Sequence, residues 1–242
     1  MRQALTTLLL GPLLLLQGLH VRRVTPRLPE PSGERTGITG SGPELRLLIL
    51  GDSAAAGVGA AHQDDALTGH LVRSLSLDFC VHWTLHASTG HTANDVIVQL
   101  EQLEATRFDV VVTSVGVNDA TAGIAPRRWR EHMAQLLQKL ETRHNARHIL
   151  FSSLPPMHLF PALPQPLRWY MGKRAATLNS VLDELLSSSE QHHMVPVTFS
   201  GDLSLMASDG FHPGPAAYAE WGIIMADSVR ERLKHAPAHT DY

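Results

Sequence analysis

Five short apolar runs alternate with stretches of helical periodicity along residues 45–235 of this chain. The runs are rich in branched aliphatic residues and cover 45–50, 79–86, 109–115, 147–152 and 194–198. Short buried strands joined by helices indicate a parallel sheet that is covered on both faces. The sequence therefore predicts an α/β fold with three layers, a doubly wound sheet of five parallel strands between two layers of helices.

Local signals mark where several helices begin. Thr92 and Asp95 form a capping-box pattern ahead of an apolar stripe. Pro126 suits the first turn of a helix whose apolar positions, beginning at Trp129, share one face. Helices are predicted over 65–77, after 92, after 126, and over 168–188 and 215–233.

The first 23 residues differ from the rest because 4–19 form a leucine-rich run followed by Arg22, Arg23 and Arg27. Sixteen residues are fewer than the ~20 that span a bilayer. The run is consistent with an uncleaved anchor with a cytoplasmic domain, a helix lying in the membrane interface, an export signal with a poor cleavage site, or an extra helix packed on the domain. We expect membrane association or export. Residues 24–44 are predicted to be a proline- and glycine-rich linker, 45–235 the domain, and 236–242 a tail.

Length and charge narrow the possible partners. The 242 residues are enough for one domain, and a net charge of −3 without a basic block argues against nucleic acid binding. The single cysteine, Cys80, cannot form an internal disulfide and is predicted to lie in the core.

Polar residues follow successive strands and precede the last helix, where a parallel sheet brings loops together at one edge. Ser53 follows the first strand, Gly90 the second and Asn118 the third, and Asp209 and His212 come before the last helix. Together they predict an acyl-transfer site.

Three of these residues have the chemistry of a catalytic triad. Serine is a weak nucleophile until a base takes its proton, and His212 is the candidate base. Asp209, three residues earlier in the sequence, is placed to orient the imidazole. The same Asp–His spacing also fits two metal ligands, but a third ligand with recognisable spacing is missing, so catalysis is favoured over a metal site.

The backbone N–H groups of Ser53 and Gly90 and the amide of Asn118 are the candidate donors of an oxyanion hole. Taken singly, Gly90 also fits an ordinary turn and Asn118 a helix cap. Asp52 and Asp119 are predicted to accept backbone hydrogen bonds in their loops.

In these four blocks the chain resembles the SGNH hydrolases, also called GDSL-type esterases and lipases. The blocks are Gly-Asp-Ser ending at Ser53, the lone Gly90, Gly-x-Asn-Asp around Asn118, and Asp209-x-x-His212, in the family's order over about 45–235. The resemblance implies a flavodoxin-like fold, cofactor-free hydrolysis without a metal, and site residues Ser53, Gly90, Asn118 and His212 completed by Asp209. The leucine that often follows the family's serine is Ala54 here. The chain lacks the Gly-x-Ser-x-Gly nucleophile elbow of α/β-hydrolases.

The apolar, proline-rich segment 154–164 follows the fourth strand and is predicted either to wall an acyl pocket or to pack on the core. In the first case Met157, Phe160 and Trp169 are the pocket residues. An apolar wall favours acyl esters over deacetylation of a polysaccharide. We expect a short-to-medium-chain esterase, with a lysophospholipase or thioesterase as variants and a lipid or small-molecule ester as substrate. The alternatives are an acyltransferase, a carbohydrate deacetylase, or a non-catalytic interaction module on the same fold.

Overall fold

The fold is seen in a computed structural model, which describes residues 2–197 and 202–235 and, within these, only the backbone of 2–9, 203 and 235. Met1, Thr198 at the end of the fifth predicted strand, and the predicted tail 236–242 lie outside the described residues. The elements follow one another in the order of a layered α/β protein. They are α1 (Arg2–Val24), β1 (Thr36–Thr39), β2 (Glu44–Gly51), α2 (Ser53–Ala56), α3 (Leu67–Leu75), β3 (Cys80–Ala87), α4 (Ala93–Gln102), β4 (Val110–Ser114), α5 (Val117–Ala122), α6 (Pro126–His144), β5 (His148–Ser152), α7 (Leu167–Leu186), β6 (His192–Val195) and α8 (Pro215–His235).

The strands form one sheet in the order β1-β3-β2-β4-β5-β6. The strands β2 to β6 are parallel, which confirms the predicted α/β class, and β2 lies at the centre between β3 and β4. The prediction of five strands was wrong by one, because β1 pairs antiparallel with β3 at the edge. This strand lies inside the segment expected to be a linker. Its sequence, Thr-Gly-Ile-Thr, is short and largely exposed, so it carries no apolar alternation.

Two apolar cores lie on opposite faces of the sheet because side chains alternate along each strand. On β2, Leu48 and Leu50 face the core beneath α4, α6 and α7, whereas Leu47 and Ile49 face the core beneath α3 and α8. The capping box at Thr92 forms as predicted, with the Thr92 side chain and the Asp95 carboxylate each accepting from the other residue's backbone N–H.

The amino-terminal helix α1 packs on the domain through residues Leu14, Gln17 and Val21. Leu14 and Val21 are each 8% exposed and belong to the core beneath α7. The Gln17 side chain donates to the Gln165 carbonyl at 2.7 Å and accepts from the Leu167 N–H at 3.1 Å. None of the helices within 2–197 and 202–235 combines the length and apolarity needed to cross a membrane.

Candidate active site

The sharp end of strand β2 places Ser53. A side chain at Gly51 would lie 1.9 Å from the Ser114 carbonyl oxygen, so only glycine lets β2 approach β4 this closely. The Asp52 N–H then donates to the same carbonyl at 3.0 Å. The chain turns directly into α2, with Asp52 as its cap and Ser53 as its first residue. Ser53 therefore stands at the carboxyl edge of the sheet with a backbone N–H that its own helix does not use.

A tight loop ahead of α8 carries His212 to this edge. The His212 carbonyl accepts from the Ala207 N–H at 2.9 Å, and the Gly214 N–H donates to the Leu205 carbonyl at 2.7 Å. These bonds close the loop directly before α8 begins at Pro215. His212 Nε2 lies 2.9 Å from Ser53 Oγ, although the two residues are 159 positions apart in the sequence.

Asp209 completes the chain of hydrogen bonds behind His212. Its Oδ2 lies 2.6 Å from His212 Nδ1, and its Oδ1 accepts from the backbone N–H groups of Phe211 at 2.9 Å and His212 at 3.0 Å. Burial acts to raise the pKa of Asp209, but the hydrogen bonds from His212 and Phe211 outweigh it and the pKa lies below its ordinary value. A charged Asp209 requires the proton of the imidazole to sit on Nδ1, which leaves Nε2 free to accept from the serine hydroxyl.

A second carboxylate, Asp52, lies beside Ser53 and has a pKa shifted in the opposite direction from that of Asp209. Its side chain is 2% exposed and accepts from the Ala54 N–H at 3.0 Å, as expected for a residue that holds its own loop. Burial raises its pKa from the ordinary value of 3.8 to about 7. Asp119 also behaves as expected, because its Oδ2 accepts from the Ala93 N–H at 2.9 Å.

The candidate oxyanion donors follow the two strands that flank β2: Gly90 lies in the loop after β3, and Asn118 lies in the first turn of α5, after β4. The ends of β3 and β4 flank Gly51 in register, at Ala87 and Ser114. Asn118 Nδ2 donates to the His91 carbonyl at 2.9 Å, and this bond ties the start of α5 to the loop between β3 and α4. Gly90 has a φ of +85°, a left-handed conformation that favours glycine, and the space beside its Cα is open.

The loop that carries Gly90 has a further support that the sequence did not reveal. Glu30 accepts from the Thr89 N–H at 2.7 Å and from the Thr89 hydroxyl at 2.8 Å. Arg35 pairs with Glu30 at 2.8 Å and donates to the Ala87 carbonyl at the end of β3. Both residues belong to the segment that was expected to be a linker, and their sequence neighbourhood gives no sign of contacts more than 50 positions away.

A largely apolar pocket of about 40 Å³ opens beside Ser53 and His212. Phe160 lines it as predicted, and Phe211 packs edge-on against Phe160 with ring centroids 5.1 Å apart. Of the other two predicted pocket residues, Met157 is fully buried in the core and Trp169 is 43% exposed on α7, and neither is part of the lining. Pro155, in the segment that was expected to wall the pocket, also lines it. The lining residues that sequence reasoning missed are Ser114, Val117, Ser153, Val197, Phe211, Pro213 and Trp221.

Known proteins share this sequence pattern and this fold. The model of the GDSL-like lipase/acylhydrolase family matches residues 49–220. A GDSL-like esterase of Mycobacterium tuberculosis (strain ATCC 25618 / H37Rv) is 26% identical over 245 residues, covering 91% of this chain and 77% of that protein.

Two solved structures illustrate the likeness of the fold. A carbohydrate esterase family 2 enzyme of Corynascus thermopiles (Myceliophthora fergusii) superposes with a TM-score of 0.65 at 16% identity, covering 81% of this chain and 68% of the other. A lipase/acylhydrolase of Enterococcus faecalis superposes with a TM-score of 0.61 at 20% identity, covering 80% of this chain and all of the other. The resemblance drawn from the four sequence blocks is confirmed, and the chain belongs to the GDSL-like lipase/acylhydrolase family.

Proposed function

We propose that this protein hydrolyses carboxylic esters through an acyl-enzyme formed on Ser53. The observation that carries the proposal is the continuous line of hydrogen bonds from Ser53 Oγ through His212 to Asp209, with distances of 2.9 and 2.6 Å. Nucleophile, base and orienting carboxylate are the three roles that acyl transfer by a serine requires.

In the first half of the reaction, Ser53 Oγ attacks the ester carbonyl while His212 Nε2 takes the hydroxyl proton. The positive imidazole is stabilised by Asp209, which stays ionised because three donors surround its carboxylate. His212 then gives the proton to the departing alcohol. In the second half a water molecule attacks the acyl-enzyme by the same route and releases the acid.

The negative charge that develops on the carbonyl oxygen needs donors that are already in place. We assign this role to the backbone N–H groups of Ser53 and Gly90 and to the side chain of Asn118. The Asn118 amide has two N–H groups, and the bond to the His91 carbonyl uses one of them. The other remains for the substrate.

The size of the pocket favours short acyl groups. About 40 Å³ corresponds to roughly three water-sized positions, which suits an acetyl to butyryl chain. Its walls, among them Phe160, Phe211 and Trp221, are mostly apolar and therefore suit the hydrocarbon side of the ester.

The same small pocket supports a second candidate, removal of acetyl groups from a carbohydrate. The fold is shared with a carbohydrate esterase, although at 16% identity that likeness concerns the fold alone. Hydrolysis rates on acetyl, butyryl and octanoyl p-nitrophenyl esters and on acetylated xylo-oligosaccharides distinguish the two candidates. We expect the acetyl and butyryl esters to exceed the octanoyl ester by at least tenfold, and a preference for the oligosaccharide would favour deacetylation.

Hydrolysis of p-nitrophenyl acetate by Ser53→Ala tests the proposed nucleophile. Turnover should fall by about 10⁴-fold or more, with unchanged circular dichroism. The matched control is Ser180→Ala, an exposed serine on α7 whose hydroxyl bonds only to its own helix, and it should keep full activity. Activity retained by Ser53→Ala would refute the assignment.

A further inference from the structure

The outward side of α1 exposes a stripe of leucines to the solvent. Leu15, Leu16 and Leu19 are 64%, 65% and 55% exposed and lie next to one another on the helix surface. We call these three residues the leucine stripe. A helix that is apolar on all sides is normally buried or in contact with lipid, so this stripe lacks the environment that its side chains favour.

The stripe is held in a fixed position on the domain. Leu14 and Val21 pack into the core from the opposite side of α1, and the two hydrogen bonds of Gln17 attach the middle of the helix to Gln165 and Leu167. The outward direction of the leucines is therefore a property of the folded domain.

Positive charge lies at the carboxyl end of the same helix. Arg22 and Arg23 form its last turn, Arg27 follows shortly after, and all three are exposed. The first acidic residue in the sequence is Glu30, so no acidic side chain precedes or interrupts this basic group. An apolar stripe next to arginines complements a bilayer surface with hydrocarbon below and phosphate headgroups above.

Helix α1 is linked to one wall of the pocket through α7. Gln17 contacts the start of α7, where Trp169 is 43% exposed. Further along α7, Gly172 packs against His158, and the neighbour of His158, Leu159, is 37% exposed. Phe160, the next residue, lines the pocket.

We propose that the leucine stripe and the arginines that follow it dock this enzyme onto the surface of an anionic phospholipid membrane. The helix lies in the headgroup region without crossing the bilayer, while its inner side stays on the domain. The docking goes beyond the hydrolysis proposed above and does not depend on the chemistry of Ser53.

Binding of the full chain to vesicles tests the proposal. With vesicles of phosphatidylcholine and phosphatidylglycerol the protein should sediment with the lipid, and with phosphatidylcholine alone binding should be much weaker. Replacing Leu15, Leu16 and Leu19 by serine should weaken binding to the anionic vesicles by about 100-fold or more. Replacing Arg22 and Arg23 by alanine should cost about fivefold each, and high salt should have a similar effect.

The matched controls change equally exposed residues elsewhere. Leu77→Ser alters a leucine that is 81% exposed after α3, and Arg128→Ala removes a positive charge from α6. Both should bind vesicles like the unchanged protein, and all variants should hydrolyse a soluble ester at the unchanged rate, which shows that they are folded.

Three results would overturn the proposal. The first is vesicle binding that the leucine and arginine changes leave intact. The second is a concentration-dependent dimer, dispersed by the leucine changes, in a protein that does not bind vesicles, because a second copy of the chain would then cover the stripe. The third is an intact mass of the protein isolated from its own cells that lacks α1, because the helix would then be removed as an export signal.

Discussion

Two buried carboxylates near Ser53, those of Asp209 and Asp52, have pKa values shifted in opposite directions. Asp209 receives hydrogen bonds from two backbone N–H groups and an imidazole, and these hold its pKa below the ordinary value against the effect of burial. Burial dominates at Asp52 and raises its pKa to about 7. These environments favour Asp209 over Asp52 as the charged member of the proposed triad, because a permanent negative charge is what stabilises the imidazolium.

Asp209→Asn tests this assignment. The asparagine oxygen can still accept from the backbone N–H groups, but its amide donates towards His212 Nδ1 and favours the tautomer whose Nε2 carries the proton. We expect kcat for p-nitrophenyl acetate to fall by about 10³- to 10⁴-fold with little loss of stability. Steady-state kinetics with thermal unfolding as a control measure both, and a loss of less than tenfold would contradict the role.

Asp52→Asn should change stability in a pH-dependent way. Between about pH 4 and pH 7 the folded protein keeps a proton on Asp52 that the unfolded chain releases, so rising pH destabilises the folded state through this group. Asparagine does not ionise and still accepts from the Ala54 N–H. The free energy of unfolding of the variant should therefore exceed that of the unchanged protein by an amount that grows from near zero at pH 4 to about 3 to 5 kcal/mol above pH 7.

Urea unfolding of both proteins at pH 4.5 and pH 8 measures this difference in the free energy of unfolding. A difference between variant and unchanged protein that is equal at the two pH values would argue against a raised pKa at Asp52.

The loop between β3 and α4 depends on a segment far away in the sequence. Glu30 and Arg35 bracket it, through Thr89 and the Ala87 carbonyl respectively. Burial acts to raise the pKa of Glu30, but the hydrogen bonds from Thr89 and Arg35 outweigh it and lower the pKa. Glu30 is thus held in its ionised form, in which it accepts from these donors most strongly.

Removing the Glu30 side chain should lower kcat more than it changes KM. Glu30→Ala releases the loop that carries Gly90, and a misplaced donor weakens the stabilisation of the transition state. We expect kcat to fall by about 10- to 100-fold with KM changed by less than threefold. The control is Glu34→Ala, which removes an exposed carboxylate from the same segment. A change confined to KM would show that the loop contacts the ground-state substrate instead.

Helix α8 connects the two distant parts of the proposed triad, the end of β2 with Ser53 and the loop with His212. The Tyr218 ring is fully buried in α8, and its hydroxyl donates to the Val58 carbonyl at 2.7 Å, just after the helix that carries Ser53. Tyr218 also stacks on Trp221, which lines the pocket. The packing of α8 therefore aligns the loop of His212 with the end of β2.

Tyr218→Phe removes only the hydroxyl of this contact and leaves the Val58 carbonyl without that donor. Because an unsatisfied buried carbonyl is costly, the free energy of unfolding should fall by about 1 to 3 kcal/mol. Urea titration followed by tryptophan fluorescence measures the loss. An unchanged midpoint would mean that water replaces the hydroxyl and that this bond does not hold the two parts together.

The sequence was sufficient for most of the parallel sheet and for the line from Ser53 to Asp209. Strands β2, β4 and β5 are compact apolar runs, and the loops after parallel strands meet at one edge whatever their spacing in the chain. Strand β6 begins two residues earlier than predicted because it opens with the polar pair His192 and His193. Strand β1 and the Glu30 contact could not be predicted, because a short polar strand and a single glutamate acquire their roles only from distant partners. Phe211 was within reach, since it lies between Asp209 and His212 in the sequence. Met157 was misplaced because an apolar loop segment has two sides, and the sequence does not say which side faces the pocket. Trp169 was misplaced because it lies on the exposed side of α7.

The most direct test of the central claim is the site of covalent labelling by a fluorophosphonate, read by peptide mass spectrometry. The account predicts a single adduct on Ser53, formed rapidly in the unchanged protein, much more slowly in His212→Ala, and not at all in Ser53→Ala. An adduct on another serine, or labelling of Ser53 that is independent of His212, would contradict it.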